Sequence, residues 1–247
     1  MSSILTRASK PATSPAGHGL RPFPLWFRWS LWVGLLVLSG HAQQSPAHTA
    51  TQDPVATVYD LIYALTDARI PNQPSEVLVA AVTGRRRGTA LDLGSGSGRN
   101  AIFLAGLGYT VTAVDISPVG LSLTRMKAQQ RGLRVTTVAQ DVNRFAFGKR
   151  RWDVIALINF PFAYRKLLPK IAAGLRPGGL VVIQGVSIRD TTPQPASDPL
   201  HYTFMDRRDL QRAFSGFRII EDDETQRATQ WGGKALMVRF CAEKPDR

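Results

Sequence analysis

Residues 90 to 117 read ALDLGSGSGRNAIFLAGLGYTVTAVDIS, and this stretch decides the fold class. An apolar run of strand length at 89–93 leads into a turn with glycine at every second position, 94–98, and then into a helical pattern. A second apolar strand at 111–114 ends at an acid, Asp115. This order of strand, glycine-rich turn, helix and strand predicts a βαβ unit with parallel strands.

The same alternation continues along the chain. Further strands are expected at 134–139, 153–158 and 180–184, and helices at 100–105, 117–131, 164–175 and 206–214. An antiparallel pair, 217–221 with 235–241, is expected at one sheet edge around a turn-rich segment, 222–234. Arg-Pro-Gly-Gly at 176–179 predicts a turn before the fifth strand. We therefore predict one α/β domain with a doubly wound, seven-stranded sheet that is mostly parallel and has an antiparallel edge strand.

The N-terminal residues have the layout of a secretory signal peptide. Basic residues precede a short apolar run at 31–38, and small residues follow it. The run is shorter than the roughly 20 residues that span a bilayer, and the positive-inside rule puts the rest of the chain outside the cytoplasm. We expect 1–42 to be a signal peptide or an N-terminal membrane anchor, 43–53 a linker and 54–247 the folded domain, which is exported (periplasmic or secreted) or membrane-anchored. The alternative is a cytoplasmic protein with an N-terminal extension.

The chain of 247 residues is basic, with a formal net charge of +13. Four of its cations precede residue 43, where there is no acid, so removing them leaves +9 for the rest. This excess is compatible with anionic substrates, nucleic acid or a membrane surface. The basic clusters at 85–87 and 149–151 lack interleaved aromatic residues, which favours solvated turns over a phosphate track. One cysteine, Cys241, excludes an internal disulfide and a multi-cysteine metal site, and we expect no metal.

The glycine-rich turn predicts a ligand site at the carboxyl edge of the sheet, because glycine lets the backbone approach a ligand closely. Asp115 lies where a carboxylate accepts hydrogen bonds from ribose hydroxyls. A dinucleotide fingerprint requires glycine at a sixth position that is here Arg99 or Ala101, of which only alanine is tolerated. Asp92, ahead of the glycines, would repel a pyrophosphate and attract a cation. The pattern therefore predicts a nucleoside pocket for a cationic cofactor.

The stretch from 90 to 117 resembles the nucleotide-binding half of class I S-adenosylmethionine-dependent methyltransferases, which have a Rossmann-like fold. The resemblance covers about 74–241, and Gly-Arg-Asn before an apolar helix and Gly-Tyr is most similar to the tellurite-resistance-type small-molecule methyltransferases. It implies that the cofactor is S-adenosyl-L-methionine. It also implies a set of cofactor-binding residues: Asp92, Gly94, Ser95, Gly96, Gly98, Asn100, Asp115, Ile116, Gln140, Asp141, Val142 and Asn159.

The resemblance also implies what several of these residues do. Asp92 and the three glycines hold the methionine part of the cofactor, and Asp115 binds the ribose. Ile116 packs on the adenine, while Asp141 accepts a hydrogen bond from its exocyclic amine. Asn159 contacts cofactor and substrate at the end of the fourth strand.

No acid/base motif identifies the catalytic residues, and the candidates are Asn159, His201 and Tyr202. Residues 159–162, Asn-Phe-Pro-Phe, resemble the Asn-Pro-Pro-Tyr motif that holds a nitrogen nucleophile in amino-group methyltransferases. Phe160 departs from that motif, which favours a strand exit with an apolar lining. A loop histidine such as His201 is more often only solvated.

We expect methyl transfer to a small or medium-sized acceptor whose identity the sequence does not give. The excursion at 186–204 and the segment at 54–84, with Tyr59, Tyr63 and Asn72, are expected to cover the pocket and select the acceptor. Three alternatives stay open: a nucleic-acid methyltransferase, a nicotinamide or flavin oxidoreductase on a Rossmann-like fold, and a non-catalytic cofactor-binding relative. No obligate protein partner is evident.

The N-terminal reading generates the first testable prediction. Expression in a host that cleaves secretory signal peptides should yield a mature chain that begins close to residue 43, because the small residues Ser39 to Ala42 follow the apolar run. Mass spectrometry of the purified N-terminus measures this directly. An intact Met1, on a domain that external protease cannot reach in whole cells, would contradict export.

Overall fold

The βαβ units expected from the sequence are present in the computed structural model, which describes residues 53–67, 72–160, 163–192, 204–229 and 233–246. All of these residues belong to one unit of the chain, Thr49–Arg247. The predicted signal peptide, most of the linker, His201 and Tyr202 lie outside the described residues. None of the helices in the described ranges is both long enough and apolar enough to cross a membrane.

Seven strands form one sheet in the order β3-β2-β1-β4-β5-β7-β6. Their bounds are β1 Thr89–Leu93, β2 Thr110–Asp115, β3 Thr136–Ala139, β4 Trp152–Ile158, β5 Leu175–Val186, β6 Arg218–Ala228 and β7 Lys234–Glu243. The helices are α1 Pro54–Thr66, α2 Glu76–Val82, α3 Arg99–Gly106, α4 Pro118–Gln130, α5 Leu168–Gly174 and α6 Arg207–Ala213, with a 3₁₀ turn at Tyr164–Lys166.

The central strand β4 is buried on both faces of the sheet. Ile155 and Leu157 belong to one apolar cluster, whereas Val154 and Ala156 belong to a second cluster with residues of α2, α3 and α4. A strand that is covered on both sides reads as an unbroken apolar run, which is why β4 was recognisable in the sequence. The burial confirms the doubly wound architecture.

The predicted antiparallel pair lies at one edge of a mostly parallel sheet, as expected. Strand β7 runs antiparallel to both of its neighbours, β5 and β6, and the outermost strand is β6. The prediction of a turn-rich segment at 222–234 was wrong, because β6 continues to Ala228 and β7 begins at Lys234. The polar residues of β6 are held by the ladder to β7 and by ion pairs such as Arg207 with Asp222, so the strand has no apolar alternation to detect.

Two boundaries around β5 also differ from the prediction. The expected helix at 164–175 is a 3₁₀ turn followed by the shorter α5, with Pro169 in the first turn of α5. The expected turn at 176–179 lies inside β5, because Gly178 donates its N–H to the carbonyl of Lys244 and Lys244 donates to the carbonyl of Gly179. Backbone pairing with the C-terminal segment therefore overrides the local turn signal.

The two-sided burial of β4 generates a stability prediction. Ile155→Ala removes a side chain with no solvent exposure and should lower the free energy of unfolding by about 2 to 5 kcal/mol, because it leaves a cavity in the core. Ile219→Ala in the edge strand β6 is the matched control, since Ile219 is 43% exposed and should cost much less. Urea unfolding of the purified variants measures both, and equal losses would contradict the core assignment.

Candidate functional site

A cavity of about 220 Å³ opens where β1, β2 and β4 end at the carboxyl edge of the sheet. The turn between β1 and α3 forms its floor, and residues of α1 also line it. The lining residues are Asp53, Val55, Tyr59, Tyr63, Gly94, Ser95, Gly96, Ser97, Gly98, Arg99, Asn100, Asp115, Ile116, Asp141, Val142, Asn143, Ile158, Asn159 and Phe160. This is the edge at which open α/β sheets bind ligands.

The glycine turn has a backbone that other residues cannot adopt without strain. Gly94, Gly96 and Gly98 all have positive φ angles, of 66°, 55° and 86°. A Cβ atom at Gly94 would lie 2.6 Å from the Phe160 ring, and one at Gly96 would lie 2.5 Å from the Tyr63 hydroxyl. Glycine is therefore required at these positions both for the conformation and for the close approach of two aromatic side chains.

Asp115 at the end of β2 fixes the middle of this turn. Its Oδ2 accepts a hydrogen bond of 2.8 Å from the N–H of Gly96, and its Oδ1 accepts one of 2.8 Å from the N–H of Ser117. Burial raises the pKa of Asp115, and the amides of Ser117 and Gly96 oppose that rise. A carboxylate has about four lone-pair positions, so these two bonds leave capacity for hydroxyl donors from a ligand.

Asp92 near the end of β1 is a second buried carboxylate. Its side chain is 1% exposed, and neither carboxylate oxygen is hydrogen-bonded to any described residue. Loss of hydration raises the pKa of Asp92 to about 7, which the positive charge of Arg99 and the amide of Ala101 counteract. The hydroxyl of Ser95 is also buried and has no hydrogen-bond partner in the part of the chain that the structure describes. Because such groups are costly without partners, these atoms suit a ligand that brings a donor or a positive charge.

Helix α1 covers one side of the cavity and is tied to α4. Asp60 accepts hydrogen bonds from the Ser117 hydroxyl and, at 3.0 Å, from the N–H of Val119 at the start of α4. Asp67 forms an ion pair of 2.7 Å with Lys127 of α4. These contacts hold Tyr63 over Gly96, where desolvation and the charge of Asp115 raise the pKa of the tyrosine well above its ordinary value.

Asn159 ends β4 in a left-handed conformation with φ of 55°, which asparagine tolerates better than most residues. Its N–H donates a 2.7 Å hydrogen bond to the carbonyl of Gln184 in β5. Its side-chain Oδ1 accepts a bond of 3.3 Å from Nε2 of the same Gln184. Backbone strain of this kind concentrates at functional sites, and here it places an amide at the cavity wall.

The structure brings the predicted cofactor-binding residues to one place, with two exceptions. All of them line the cavity except Asp92, which is buried in β1, and Gln140, which is half-buried beyond the end of β3. Asn100 lines the cavity, but its Oδ1 already accepts a hydrogen bond from the N–H of Ser75. Asp141 uses Oδ1 to hold the amides of Asn143. The cofactor contacts of these residues stay predictions.

Some cavity residues were not singled out from the sequence. Tyr59 and Tyr63 were expected to cover the pocket and do line it, whereas Asn72 is not among the lining residues. Asp53, Val55 and Asn143 were missed. A signal for the first two was present, because Asp53 followed by Pro54 is a helix start and its carboxylate caps α1 at the N–H of Val55. Asn143 carries no such signal, since only the fold of the loop after β3 brings it to the cavity.

In the part of the chain that the structure describes, no group of three or more histidine, cysteine or acidic residues could hold a metal ion. The only cysteine of the sequence, Cys241, is buried in β7, and burial raises the pKa of its thiol to about 12.

Comparison with known proteins gives one matching family model and several similar proteins. Residues 90–179 match the family described as Methyltransferase domain. The chain is 32% identical over 165 residues to a protein named Hemagglutinin 1 from Eikenella corrodens, which covers 63% of this chain and 54% of the relative. It is 25% identical over 158 residues to the probable S-adenosyl-L-methionine-dependent methyltransferase TehB of Haemophilus influenzae, with coverage of 61% and 54%. The chain thus spans about half the length of these curated relatives.

Solved structures share the fold. The crystal structure of TehB from Haemophilus influenzae has a TM-score of 0.60 and 20% identity, and the match covers 76% of this chain and 67% of that one. A 1,6-didemethyltoxoflavin-N1-methyltransferase from Burkholderia thailandensis, solved with S-adenosylhomocysteine, has a TM-score of 0.54 and 23% identity, with coverage of 82% and 94%.

The fold and the matched domain are similar to those of class I S-adenosylmethionine-dependent methyltransferases. Within that class the chain resembles TehB.

The cavity fits the cofactor of this family. The unpaired carboxylate of Asp92 and the hydroxyl of Ser95 suit the cationic methionine part, and Asp115 has acceptor capacity for ribose hydroxyls. Ile116 and Val142 line the wall where an adenine ring would pack, and Asp141 lies beside them.

The buried state of Asp92 generates a pH prediction for the ligand-free protein. Its folded-state pKa of about 7 lies above the ordinary value of 3.8, so the native state binds a proton that the unfolded chain releases, and stability falls as pH rises through that window. Asp92→Asn cannot ionise, so its stability relative to wild type should rise by roughly 2 to 3 kcal/mol from pH 5 to pH 8. Urea unfolding at the two pH values measures the difference.

Asp67→Asn is the matched control for this experiment, because Asp67 pairs with Lys127 and does not line the cavity. A stability difference between Asp92→Asn and wild type that does not change with pH would show that Asp92 is not desolvated in the ligand-free protein.

Proposed function

We propose that this chain transfers the methyl group of S-adenosylmethionine to a small or medium-sized acceptor. The observation that carries the proposal is one cavity that is lined by the glycine turn, by Asp115 and by Asn159 at the end of β4. The glycine turn begins two residues after Asp92, whose carboxylate oxygens have no hydrogen-bond partner among the described residues. The cofactor supplies a methyl group already activated by a positively charged sulfur. The chain then has to bind the cofactor and the acceptor, orient them for transfer and exclude water, and none of these tasks requires an acid/base pair at the site.

The two buried carboxylates divide the task of binding. Asp92 would neutralise a positive charge in a place where water cannot, and the interaction would also relieve its own desolvation. Asp115 holds the turn through Gly96 and accepts further hydrogen bonds from the same ligand. Tyr63 and Phe160 lie against the turn and keep solvent from the backbone there.

A small acceptor is favoured over nucleic acid by the position of the basic clusters. Residues 85–87 and 149–151 immediately precede β1 and β4, so they lie at the amino edge of the sheet, opposite the cavity. Arg85 is paired with Glu243, and Arg151 lies over the Trp152 ring. A nucleic acid bound to these cations would therefore lie at the amino edge of the sheet, away from the cavity at the carboxyl edge. The Burkholderia relative, whose named acceptor is 1,6-didemethyltoxoflavin, is compatible with a small-molecule acceptor here.

Export is proposed on the N-terminal sequence alone. An exported methyltransferase would depend on S-adenosylmethionine that reaches its compartment. The compartment in which the chain acts must therefore also supply the cofactor. The N-terminal mass measurement therefore also bears on where the acceptor should be sought.

The proposed function predicts the ligand preference of the chain. Isothermal titration should give binding of S-adenosylmethionine or S-adenosylhomocysteine and none of NAD, because Asp92 precedes a turn that lacks the dinucleotide spacing. Asp115→Asn should weaken binding about tenfold to a hundredfold, since hydrogen bonds to a charged group contribute about 1.5 to 3 kcal/mol. Asp222→Asn in the edge strand β6 is the control, because Asp222 does not line the cavity, and it should bind like wild type.

Asparagine at 115 also places an N–H opposite one of the two backbone donors, Gly96 or Ser117, so a thermal melt must accompany the titration. A folded Asp115→Asn variant with wild-type affinity would remove Asp115 from the site. Tight binding of NAD would favour the oxidoreductase alternative, and salt-sensitive binding and methylation of oligonucleotides would favour the nucleic-acid alternative.

A further inference from the structure

A second cavity, which we call the amino-edge groove, lies at the opposite edge of the sheet from the glycine turn. Its volume is about 610 Å³, within the range of about 300 to 1,000 Å³ that small-molecule sites occupy. It opens where the chain enters β2, at 109–111, and where it enters β3, at 133–136, and Arg125 and Ala128 of α4 also line it. None of the described residues that line this groove also lines the cavity at the carboxyl edge.

Two arginines of the amino-edge groove have guanidinium groups that are available to a ligand. Arg134 forms no hydrogen bond or ion pair with any described residue. Arg125 uses Nη1 for a hydrogen bond of 2.8 Å to the hydroxyl of Thr137, which leaves most of its five N–H donors. Lys127, on the same helix, is instead paired with Asp67. The groove therefore holds two positive charges that no described acid pairs with.

The sequence that builds the groove contains no acid that could compensate these charges. Between 93 and 140 the only acidic residue is Asp115. That residue ends β2 at the carboxyl edge, where it is bonded to the glycine turn, whereas the groove lies where β2 begins. Positive charge in a cleft of this kind attracts anions. The groove is therefore electrostatically suited to an anionic ligand.

Tyr109 lines the groove and carries a hydroxyl without a hydrogen-bond partner among the described residues. Its side chain is 5% exposed, and the hydroxyl oxygen is buried. The guanidinium of Arg87 lies 5.6 Å from the centre of its ring and adds a third positive charge beside the groove. Because a buried hydroxyl without a partner is costly, this group favours a ligand that brings a hydrogen-bond acceptor.

The remaining lining restricts what kind of anion fits. Val111, Ala128, Leu133 and Val135 provide apolar walls, which contribute affinity for a hydrocarbon group or a ring but not for an inorganic ion. Guanidinium groups bind phosphate oxygens in pairs of parallel hydrogen bonds. A phosphate monoester carries a charge of about −1.5 to −2 at pH 7, which the two arginines of the groove match.

We propose that the amino-edge groove is a second ligand site, which binds a small molecule that carries a phosphate monoester on an apolar or aromatic group. Arg125 and Arg134 bind the phosphate oxygens, and the hydroxyl of Tyr109 donates to the same group. A nucleic acid is less favoured, because Tyr109 is too buried for a base to stack on its ring. The groove shares no described residue with the cavity at the carboxyl edge, so the inference does not depend on the proposed function.

Three compounds separate the contributions of charge and ring: phenyl phosphate, inorganic phosphate and phenol. Isothermal titration of the full chain at about pH 7.5, where the phosphate is almost fully ionised, gives their dissociation constants. Phenyl phosphate should bind about tenfold or more tightly than phosphate, which lacks the ring, and than phenol, which lacks the charge. An excess of S-adenosylhomocysteine should change its affinity by no more than about twofold, since the two cavities are separate.

Arg134→Gln tests the site without removing a described contact of the fold. It should weaken the binding of phenyl phosphate about tenfold or more and leave the thermal melt unchanged. Arg125→Gln is the second variant and should weaken binding likewise. The matched control is Arg131→Gln, which makes the same charge change at an exposed residue that does not line the groove, and its affinity should stay within about threefold of wild type.

Tyr109→Phe removes only the hydroxyl. The melting temperature of the ligand-free variant should not fall, because the hydroxyl has no described partner to lose, whereas the affinity for phenyl phosphate should fall about threefold or more. An unchanged affinity in this variant would overturn the role given to Tyr109.

The site as a whole would be overturned if the folded chain did not bind phenyl phosphate, or if Arg134→Gln and Arg131→Gln bound it equally well. Displacement of phenyl phosphate by S-adenosylhomocysteine would place it in the other cavity and would also overturn the inference. So would tighter binding of a single-stranded oligonucleotide that depends on Arg125 and Arg134.

Discussion

The packing of other groups against the backbone of Gly96 is the constraint on which the rest of the site depends. The N–H of Gly96 is bound to Asp115 of β2, and its carbonyl accepts a hydrogen bond of 3.0 Å from the hydroxyl of Thr124 in α4. The Tyr63 ring of α1 occupies the space that a Cβ would need. One residue therefore joins β2, α4 and α1 around the turn after β1. A side chain at this position would displace the Tyr63 ring and would be strained at a φ of 55°, which explains why the turn cannot be built from ordinary loop residues.

Tyr63 is also packed closely against a second glycine, Gly120 in α4. A Cβ at Gly120 would lie 2.9 Å from the Tyr63 ring and 3.1 Å from the carbonyl of Gly96. The tyrosine thus lies between two glycines that are 24 positions apart in the sequence. The contacts of Asp60 with the start of α4 keep α1 at that distance. The cover of the cavity is consequently part of the folded core and not an appended flap.

The sequence predicted the fold wherever burial left a simple pattern. Strand β4 and the turn after β1 were recognisable because two-sided burial produces an apolar run and close backbone packing produces glycine. Strand β6 was truncated in the prediction because ion pairs and a backbone ladder stabilise it, and neither has a periodicity. The prediction of a turn at 176–179 was wrong for a related reason, since the backbone of this segment pairs with Lys244, which is distant in the sequence.

Within the site, the residues that follow strands were predictable and the contacts between them were not. Asp92, Asp115 and Asn159 stand at or near strand ends, which topology brings to one edge. That Gln184 faces Asn159 depends on the register of β4 with β5, in which Gln184 pairs with Ile158. Sequence order gives the strands but not their register. The contact between Gln184 and Asn159 is therefore a property of the sheet.

Asp92 and Asn159 show two ways of preparing a cavity before a ligand arrives. The carboxylate of Asp92 is left unpaired, so the free protein carries a desolvation cost that a cationic ligand can relieve. The amide of Asn159 is restrained by hydrogen bonds instead, because its Oδ1 accepts from Gln184, which accepts in turn from Arg239, the partner of Glu76 in an ion pair. The first arrangement leaves binding energy available to a cation, and the second limits the movement of a side chain at the cavity wall before any ligand binds.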